Sequence, residues 1–397
     1  MMNRPPVSFL RHNARPLGFG LLHAFCSSPG QTIVIGLFIP GFATAFHLSA
    51  SEIGALYLAA NLASATTLLS IGHLIDSTSL RGFSTATIAG LAAACFLASL
   101  TQNALMLGVA FFALRLTGQS LMVHIEATAT ARAFTADRGR ALAITGLGLP
   151  LADALMPSIV LAGIAALGWR GTYTAIGLVL IVLVLPLARF LASRTAPPAV
   201  APVWFGRRLL GAFQLLAGNR LFWAALPGVA IMPFILTGIL FNATAIAAAR
   251  GWSRELMAAS FPAMAIPHIA ALFLSGRLID RFSGLAVFRL HAIPVFSGLL
   301  VLAWVGPGWA LPAGLLLTGL SGGIAKTSGT AIWAELFGTA NLGAIRSFIA
   351  VYTALSTALA PFAFGLLTDA GWSWPRILTL CAGGAVVAAA PLILVRT

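Results

Sequence analysis

Gly72-His73-Leu74-Ile75-Asp76 recurs 204 residues later as Gly276-Arg277-Leu278-Ile279-Asp280, and each copy closes a long apolar run. An offset of 203 relates Gly168-Trp169 to Gly371-Trp372. The offset of 204 relates four more pairs, namely Pro29 and Pro233, Gly118 and Gly322, Gly139 and Gly343, and Pro157 and Pro361. Self-similarity at a period of about half the chain indicates two related bundles in tandem.

The composition indicates a membrane protein. Of the 397 residues, 59% are hydrophobic and 8% are charged, and the mean hydropathy is +0.97. A soluble domain needs more polar surface than this, whereas a helix crosses a bilayer with roughly 20 apolar residues. The runs are continuous rather than alternating, which favours helices over a transmembrane β-barrel. Twelve such runs lie at about 17–46, 52–75, 83–100, 104–130, 141–166, 171–192, 220–247, 256–276, 284–304, 309–333, 342–367 and 373–395.

The net charge of +14 would indicate a nucleic-acid partner in a soluble protein, but here the arginines indicate orientation. With a cytoplasmic N-terminus, most arginines fall on the cytoplasmic side, and the outer loops hold Arg170, Arg250, Arg254 and Arg376. This asymmetry follows the positive-inside rule. We therefore expect a multi-pass protein of the bacterial inner (plasma) membrane, with both termini cytoplasmic and no nucleic acid as partner.

The least hydrophobic internal stretch separates two equal sets of apolar runs. We expect a cytoplasmic N-terminal segment (1–16), an N-terminal six-helix bundle (17–192), a cytoplasmic linker (193–219) and a C-terminal six-helix bundle (220–397). Six segments in each half give both halves the same orientation, so the repeat is parallel about the membrane normal. A solute site is expected in the cleft between two such halves.

Intramembrane catalysis is a rival function. Gly319-Leu320-Ser321-Gly322 matches the Gly-x-Ser-Gly motif of rhomboid-like serine proteases. These proteases need a histidine on a later segment, and the last histidine here is His291, so the serine has no activating base in that order. The cysteines lie inside apolar runs and are expected to be small buried hydrophobes rather than metal ligands. We expect no enzyme, no metal and no cofactor.

The repeated motif resembles the loop signature of the major facilitator superfamily, Gly-x-x-x-Asp-Arg-x-Gly-Arg-Arg, after the second segment. The matching positions are Gly72, Asp76 and Arg81 in the first copy and Gly276, Asp280 and Arg281 in the second. Departures in the first copy are Ser77, Ser79 and Leu80. The resemblance covers nearly the whole chain. It implies an all-α membrane protein with twelve transmembrane helices in two pseudo-symmetric six-helix bundles.

In that family the loop acts as a cytoplasmic gate. The resemblance implies that Asp76 meets the positive end of a helix near Gly343 and a basic residue of the next cytoplasmic loop, Arg138 or Arg140. A carboxylate is stabilised at a helix N-terminus. The alternative is a charge that only sets topology. Two further pairs, Glu126 with Arg132 and Glu335 with Arg346, could extend this network.

Charged and polar residues within the segments are candidates for binding or coupling. Arg115 lies well inside the fourth segment, where a charge costs at least about 2.5–3.5 kcal/mol and therefore faces a partner or water. Helical spacing places Arg115, Gln119, Met122 and Glu126 on one stripe, and the repeat maps Lys326, the single lysine, onto Met122. The full set of candidates is Arg115, Gln119, Glu126, Asp153, Lys326, Gln31 and Asn242.

Several roles stay open for these groups. Asp153 in the fifth segment could form a structural pair with Arg115, couple protons, or contact solute. His124 and His268 could be packing groups or proton relays. The first segment is predicted to break at Ser27-Ser28-Pro29-Gly30, and the seventh at Pro227 and Pro233. Such a break could be a packing kink or a bend beside a moving cavity.

The sequence contains partial matches to motifs of two different branches of this superfamily. Residues 131–143 are similar to the loop of the monocarboxylate and oxalate/formate branch, which favours an organic anion. However, His268 and Leu272 replace the acid and arginine that monocarboxylate carriers have in the eighth segment. Pro157 matches the fifth-segment motif of drug/proton antiporters, although the glycines of that motif are absent.

These residues predict a secondary active transporter that moves a small organic solute by alternating access in symport with protons, with an organic anion as the favoured substrate. The alternative is proton-driven efflux of hydrophobic or cationic compounds, as in drug-type antiporters. A sensor built on a transporter scaffold is a third possibility. We expect a monomer whose partners are the solute, protons and the lipid bilayer.

Overall fold

The computed structural model describes residues 6–134, 137–192, 216, 218–338 and 342–394, and the regular elements in these ranges are all helices. In the first half of the chain the α-helices are α1 Pro6–His12, α2 Ala14–Cys26, α3 Thr32–Phe46, α4 Ala50–Ile71, α5 Leu74–Ser77, α6 Leu80–Ser99, α7 Ala104–Leu114, α8 Val123–Ala133, α9 Arg138–Thr145, α10 Gly148–Val179 and α11 Leu185–Leu191. Three other helical turns occur: a 3₁₀ turn at Ser28–Gly30 and π-helical turns at Arg115–Met122 and Leu180–Val184.

The second half contains eight described α-helices. They are α12 Arg220–Phe241, α13 Ala243–Ala249, α14 Arg254–Arg281, α15 Gly284–Leu290, α16 Ala292–Trp304, α17 Ala310–Phe337, α18 Leu342–Asp369 and α19 Trp374–Leu394. A helix satisfies its backbone polar groups within itself, as a segment inside a bilayer must, and the apolar side chains of the longer helices match the hydrocarbon core.

Ten helical stretches in the described ranges are long and apolar enough to cross a membrane. One of them, Arg138–Leu191, has 54 residues, or about 80 Å of helix, more than twice the thickness of a hydrocarbon core. It bends at Gly168, whose φ is 69°, and so crosses twice. α17, with 28 residues, is also long enough to cross. The twelve predicted crossings therefore have helical counterparts.

Two repeat-related glycines turn the chain between crossings. Gly168 has φ 69° and Gly371 has φ 80°, a left-handed conformation that a residue with a Cβ adopts at a cost. Each is followed by a tryptophan in the sequence. The Gly-Trp pair related by the offset of 203 thus marks a glycine with positive φ in both copies.

The predicted breaks differ between the two copies. The first segment does break, at Ser28–Gly30 between α2 and α3. The prediction for the seventh segment was wrong, because α12 runs through both Pro227 and Pro233 and ends at Phe241. Proline removes one hydrogen bond, but within a bilayer continuing the helix satisfies the remaining backbone groups.

The chain contains two compact units. The first comprises Met1–Ile35 and Ala59–Pro202, and the second comprises Gly36–Leu58 and Val203–Thr397. Gly36–Leu58 belongs to the second unit, whereas the sequence predicts it as part of the N-terminal bundle. Most of the predicted linker, 193–219, and residues 1–5 of the predicted N-terminal segment lie outside the described residues.

Each unit has its own packed core. In the first, Phe19, Ile75 and Ile125 belong to one buried cluster. In the second, Phe222 and Trp333 lie at the centre of another, with ring centroids 5.3 Å apart. Many large apolar side chains point outward, as in a protein whose exposed surface contacts lipid rather than water. Examples are Leu105, Ile266, Ile293 and Val387.

Candidate functional site

The broken first segment packs directly against a distorted part of the fourth. Pro29 lies in the 3₁₀ turn, and a Cβ on Gly30 would lie 2.2 Å from the Leu114 carbonyl oxygen and 2.8 Å from the Gly118 Cα. Two backbones can approach this closely only where both residues lack side chains. The fourth segment is π-helical over Arg115–Met122, and such turns often occur at functional sites.

The π-helical turn changes the predicted stripe on this segment. A π-helix pairs residues i and i+5, so its turn is wider than 3.6 residues and positions four and seven apart no longer coincide on one face. Arg115 and Met122 are buried, whereas Gln119 is half-buried. The stripe of Arg115, Gln119, Met122 and Glu126 is therefore not the straight line that α-helical spacing predicts.

Arg115 is held by neutral oxygens of the first and second segments. Its side chain is 2% exposed. Its Nε and Nη2 donate to the Asn61 Oδ1 at 3.0 and 2.7 Å, and its Nη1 donates to the Gly30 carbonyl at 3.2 Å. A weaker contact joins Nη1 to the Thr32 hydroxyl at 3.4 Å. Since a buried guanidinium must be hydrogen-bonded, these groups explain how the charge is tolerated.

Other polar groups gather at the same helix break. The Gln31 Nε2 donates to the Ser27 hydroxyl at 3.0 Å, and that hydroxyl donates to the Ala24 carbonyl at 2.7 Å. The Gln119 Oε1 has no hydrogen-bond partner within the described ranges. Asp153, the predicted counter-charge of Arg115, is half-buried on α10. Gln31, Gln119, Arg115 and Asp153 all belong to the first unit.

Glu126 lies in a buried, hydroxyl-rich part of the first unit. Its side chain belongs to α8 and is 7% exposed, and its Oε1 accepts a hydrogen bond from the Thr145 hydroxyl. The Thr130 hydroxyl lies 3.3 Å from that of Thr145. Gly20 of α2 packs against both threonines. Glu126 is thus a buried carboxyl beside neutral hydroxyls.

The first copy of the gate motif is tied to the end of the fourth segment. Asp76 on α5 forms an ion pair with Arg132 in the last turn of α8, and the Arg132 Nη1 also donates to the Ile75 carbonyl at 3.2 Å. The expected partners lie elsewhere: the Arg138 Nε donates to the Phe134 carbonyl, and Arg140 stacks over the Phe9 ring at 4.4 Å. The expected pairing with Arg138 or Arg140 is thus replaced by Arg132, which α8 carries to the end of the second segment.

Two other residues complete this region. The His124 Nε2 donates to the Gly72 carbonyl at 3.1 Å, so this histidine fastens the bend between α4 and α5. Arg81 is half-buried near the start of α6, and its Nε has no hydrogen-bond partner among the described residues.

The second copy of the motif has different contacts. Asp280 and Arg281 at the end of α14 are exposed, and Arg281 lies 5.4 Å from the centre of the Phe282 ring. Around Gly276 there is open space. Glu335 is not paired with Arg346 as expected, since its carboxylate accepts hydrogen bonds from the Gly284 and Leu285 backbone N–H groups at the start of α15. A carboxylate at a helix N-terminus satisfies otherwise free N–H donors.

Lys326 and His268 lie close together in the second unit. Lys326 is exposed on α17, four residues after Gly322, which packs against the His268 imidazole of α14. Glycines bring the two helices together: a Cβ on Gly323 would lie 2.4 Å from the His268 carbonyl oxygen, and one on Gly322 would lie 3.1 Å from its Nδ1. The arrangement places an imidazole and an ammonium along one helix pair.

Asn242 has a structural contact at the end of α12. Its side chain is buried, and its Nδ2 donates to the Gly238 carbonyl at 2.9 Å. It stands where the chain passes from α12 into α13. Asn242 and Lys326 belong to the second unit.

The family model of the Major Facilitator Superfamily matches residues 21–316 of the sequence. The chain belongs to the major facilitator superfamily. This membership and the helical structure confirm the predicted fold class. Comparison with curated proteins gave no significant match.

Two solved transporters share the fold of this superfamily member at low sequence identity. A point mutant of the nucleoside transporter NupG has a TM-score of 0.77 and 14% identity, covering 95% of this chain and 98% of its own. A bacterial homolog of the human lysosomal transporter Spinster, in an inward-facing and unoccupied conformation, has a TM-score of 0.70 and 14% identity, covering 99% and 97%. Family membership and these shared folds indicate a transporter rather than an enzyme.

In this superfamily member, the sequence did not predict the contact of Asn61 with Arg115, the contact of Thr145 with Glu126, or the π-helical turn. Asn61 is a neutral residue 54 positions from Arg115, so no local pattern connects them. The available signal is indirect, because a buried arginine requires hydrogen-bond acceptors on neighbouring segments. Asn61 is the single carboxamide side chain between residues 52 and 75.

Proposed function

We propose that this protein is a secondary active transporter that moves a small organic anion across the inner membrane by alternating access, coupled to protons. The observation that carries the proposal is the exposed ammonium of Lys326. It lies 11 residues before the end of α17, roughly 16 Å along the helix. A charge at such a depth is stable only if it faces water or a partner, and an anionic solute is such a partner.

The contrast between the two embedded cations favours Lys326 as the group that binds solute. Arg115 is buried, and its nitrogens donate to Asn61 and Gly30. Lys326 is exposed and lies about one helical turn from the point where α17 packs against His268, which can add a second hydrogen-bonding group. Arg115 then organises the first unit, while Lys326 contacts the carboxylate of the solute.

Glu126 is the group we propose for proton coupling, with Asp153 as the alternative. Thr145 offers a hydroxyl that can donate to an ionised carboxyl and can equally accept from a protonated one. Carboxyls inside transmembrane segments commonly serve as proton relays. Asp153 is the more exposed of the two acids.

A panel of ligands tests the anion proposal through thermal stabilisation of the purified protein. Carboxylates should raise the Tm of the wild type and of Lys326→Arg, which keeps the charge, but not of Lys326→Ala. Uptake into proteoliposomes should follow the same order and require a pH gradient. The proposal fails if lipophilic cations stabilise the wild type and Lys326→Ala equally, which would favour proton-driven efflux.

Nucleosides belong in the same panel, because the similar NupG structure is that of a nucleoside transporter. A nucleoside has no negative charge, so its binding would not depend on Lys326. If nucleosides stabilise both the wild type and Lys326→Ala, the solute is neutral and the anion proposal is wrong.

A further inference from the structure

Asp369 binds the start of a helix that is distant in sequence. It is the last residue of α18, and its Oδ2 accepts a hydrogen bond from the Ser51 backbone N–H at 2.9 Å, while its Oδ1 accepts one from that of Ala50 at 3.3 Å. Both N–H groups lie in the first turn of α4, where a helix has no internal acceptors for them. A carboxylate there is also favoured by the helix dipole.

The two helices touch backbone to backbone beside this carboxylate. A Cβ on Gly365 would lie 2.6 Å from the Ala50 carbonyl group, and a Cβ on Gly54 would lie 2.6 Å from the Phe362 Cα. Small residues allow such close crossings in membranes. Because no long side chains interlock at these two points, the helices can separate without repacking them.

A second close backbone contact joins α3, the helix before α4, to α12. A Cβ on Gly36 would lie 2.5 Å from the Leu240 carbonyl oxygen, and these two positions are related by the repeat offset of 204. The Tyr57 and Phe241 rings are 4.7 Å apart. These contacts group Gly36–Leu58 with the second unit, although the sequence places it in the first bundle.

We propose that Asp369 and the first turn of α4 form an outer latch, which holds the outer ends of these helices together and breaks in each transport cycle. The inference rests on the proposed alternating-access function and on the predicted orientation, which places both groups outside. The latch joins segments from the two repeat copies, and these must separate when the outer side opens. Asp369 is exposed, so water can replace the hydrogen bonds that are lost.

Distances between spin labels test the latch without any solute. Labels on His47→Cys and Trp372→Cys report the separation of the two outer loops in lipid nanodiscs, with Cys26, Cys95 and Cys381 replaced by serine. Asp369→Ala removes both acceptors and should raise the long-distance population at least about fivefold. The matched control is Glu255→Ala, which removes an exposed acid from the first turn of α14 and should leave the distribution unchanged.

A second variant keeps the test valid if Asp369→Ala does not fold. Gly365→Ala places a methyl group against the Ala50 backbone and should also favour the long distance, whereas Gly383→Ala, with no neighbour within 4 Å, should not. The latch is overturned if neither Asp369→Ala nor Gly365→Ala shifts the distribution beyond its control. Since the measurement uses no ligand, this result is independent of whether the solute is an anion.

Discussion

Asn61 shows how one neutral side chain supports a buried charge. Its single amide oxygen accepts two hydrogen bonds from Arg115. Hydrogen bonds to charged groups contribute about 1.5–3 kcal/mol, and a buried group that loses its partner incurs the full desolvation cost. The stability of the first unit should therefore depend on Asn61 more than on an ordinary polar residue.

We expect Asn61→Ala to lower the free energy of unfolding by about 2–4 kcal/mol and to reduce transport. The measurement is unfolding of the detergent-solubilised protein followed by tryptophan fluorescence. The matched control is Asn103→Ala, which removes a side-chain cap from the Met106 N–H at the start of α7 and should cost about 1 kcal/mol. Equal losses in the two variants would contradict the role assigned to Asn61.

Arg132 is expected to be coupled to Asp76. Their side chains are 26% and 39% exposed, so the coupling should be modest, about 0.5–1 kcal/mol. A double-mutant cycle of Arg132→Ala with Asp76→Asn measures it. Arg138→Ala with Asp76→Asn is the control cycle and should be additive, because Arg138 bonds to Phe134 instead. Stronger coupling to Arg138 would restore the pairing expected from the loop motif.

At the residue scale, the sequence predicted which side chains are important more readily than it predicted the residues that they contact. Arg115 and Lys326 stand out because charges are rare in apolar segments. Their neighbours Asn61 and His268 do not follow from spacing, since contacts between helices depend on how closely the backbones approach. The ion pair of Asp76 with Arg132, rather than with the expected Arg138, has the same cause. A family motif predicts that Asp76 is paired, but helix packing decides which arginine reaches it.

At the element scale, the contact of Gly30 with Gly118 joins the broken first segment to the π-helical turn. A Cβ on Gly118 would lie 2.7 Å from the Gly30 Cα. Hydropathy predicted the crossings themselves, because the bilayer requires long apolar helices. Proline positions predicted helix breaks less well, because Pro29 lies at a break, whereas Pro227 and Pro233 lie within α12. The difference depends on the residues that pack around each proline, which no local window contains.

Gly118→Ala should destabilise the protein by about 1–3 kcal/mol, because the new methyl group must force two packed backbones apart. Gly383→Ala is the control in α19: its Cβ would meet nothing within 4 Å, so a slight stabilisation is expected from the better helix propensity of alanine. Thermal unfolding followed by circular dichroism compares the two. If both variants melt at the wild-type temperature, the backbone contact is looser than described.

At the scale of the whole molecule, duplication organises the chain, yet the copies are not equivalent. Arg132 pairs with Asp76 in the first copy, whereas in the second Glu335 binds the start of α15 and Asp280 is exposed. The repeat was visible in the sequence because glycines, prolines and the gate motif recur at one offset. The grouping of Gly36–Leu58 with the second unit could not be seen in the sequence, since a contact between the two copies produces no repeating pattern of residues.

The orientation predicted from the arginines leads to a test on intact cells. A membrane-impermeant maleimide should label His47→Cys and Trp372→Cys, because the positive-inside rule places both loops outside. The same reagent should leave Ser77→Cys unlabelled until the membrane is permeabilised. All three positions are exposed, so differences in labelling report the side of the membrane rather than burial. Labelling of Ser77→Cys in intact cells would reverse the topology, and the contact made by Asp369 would then close the cytoplasmic side instead.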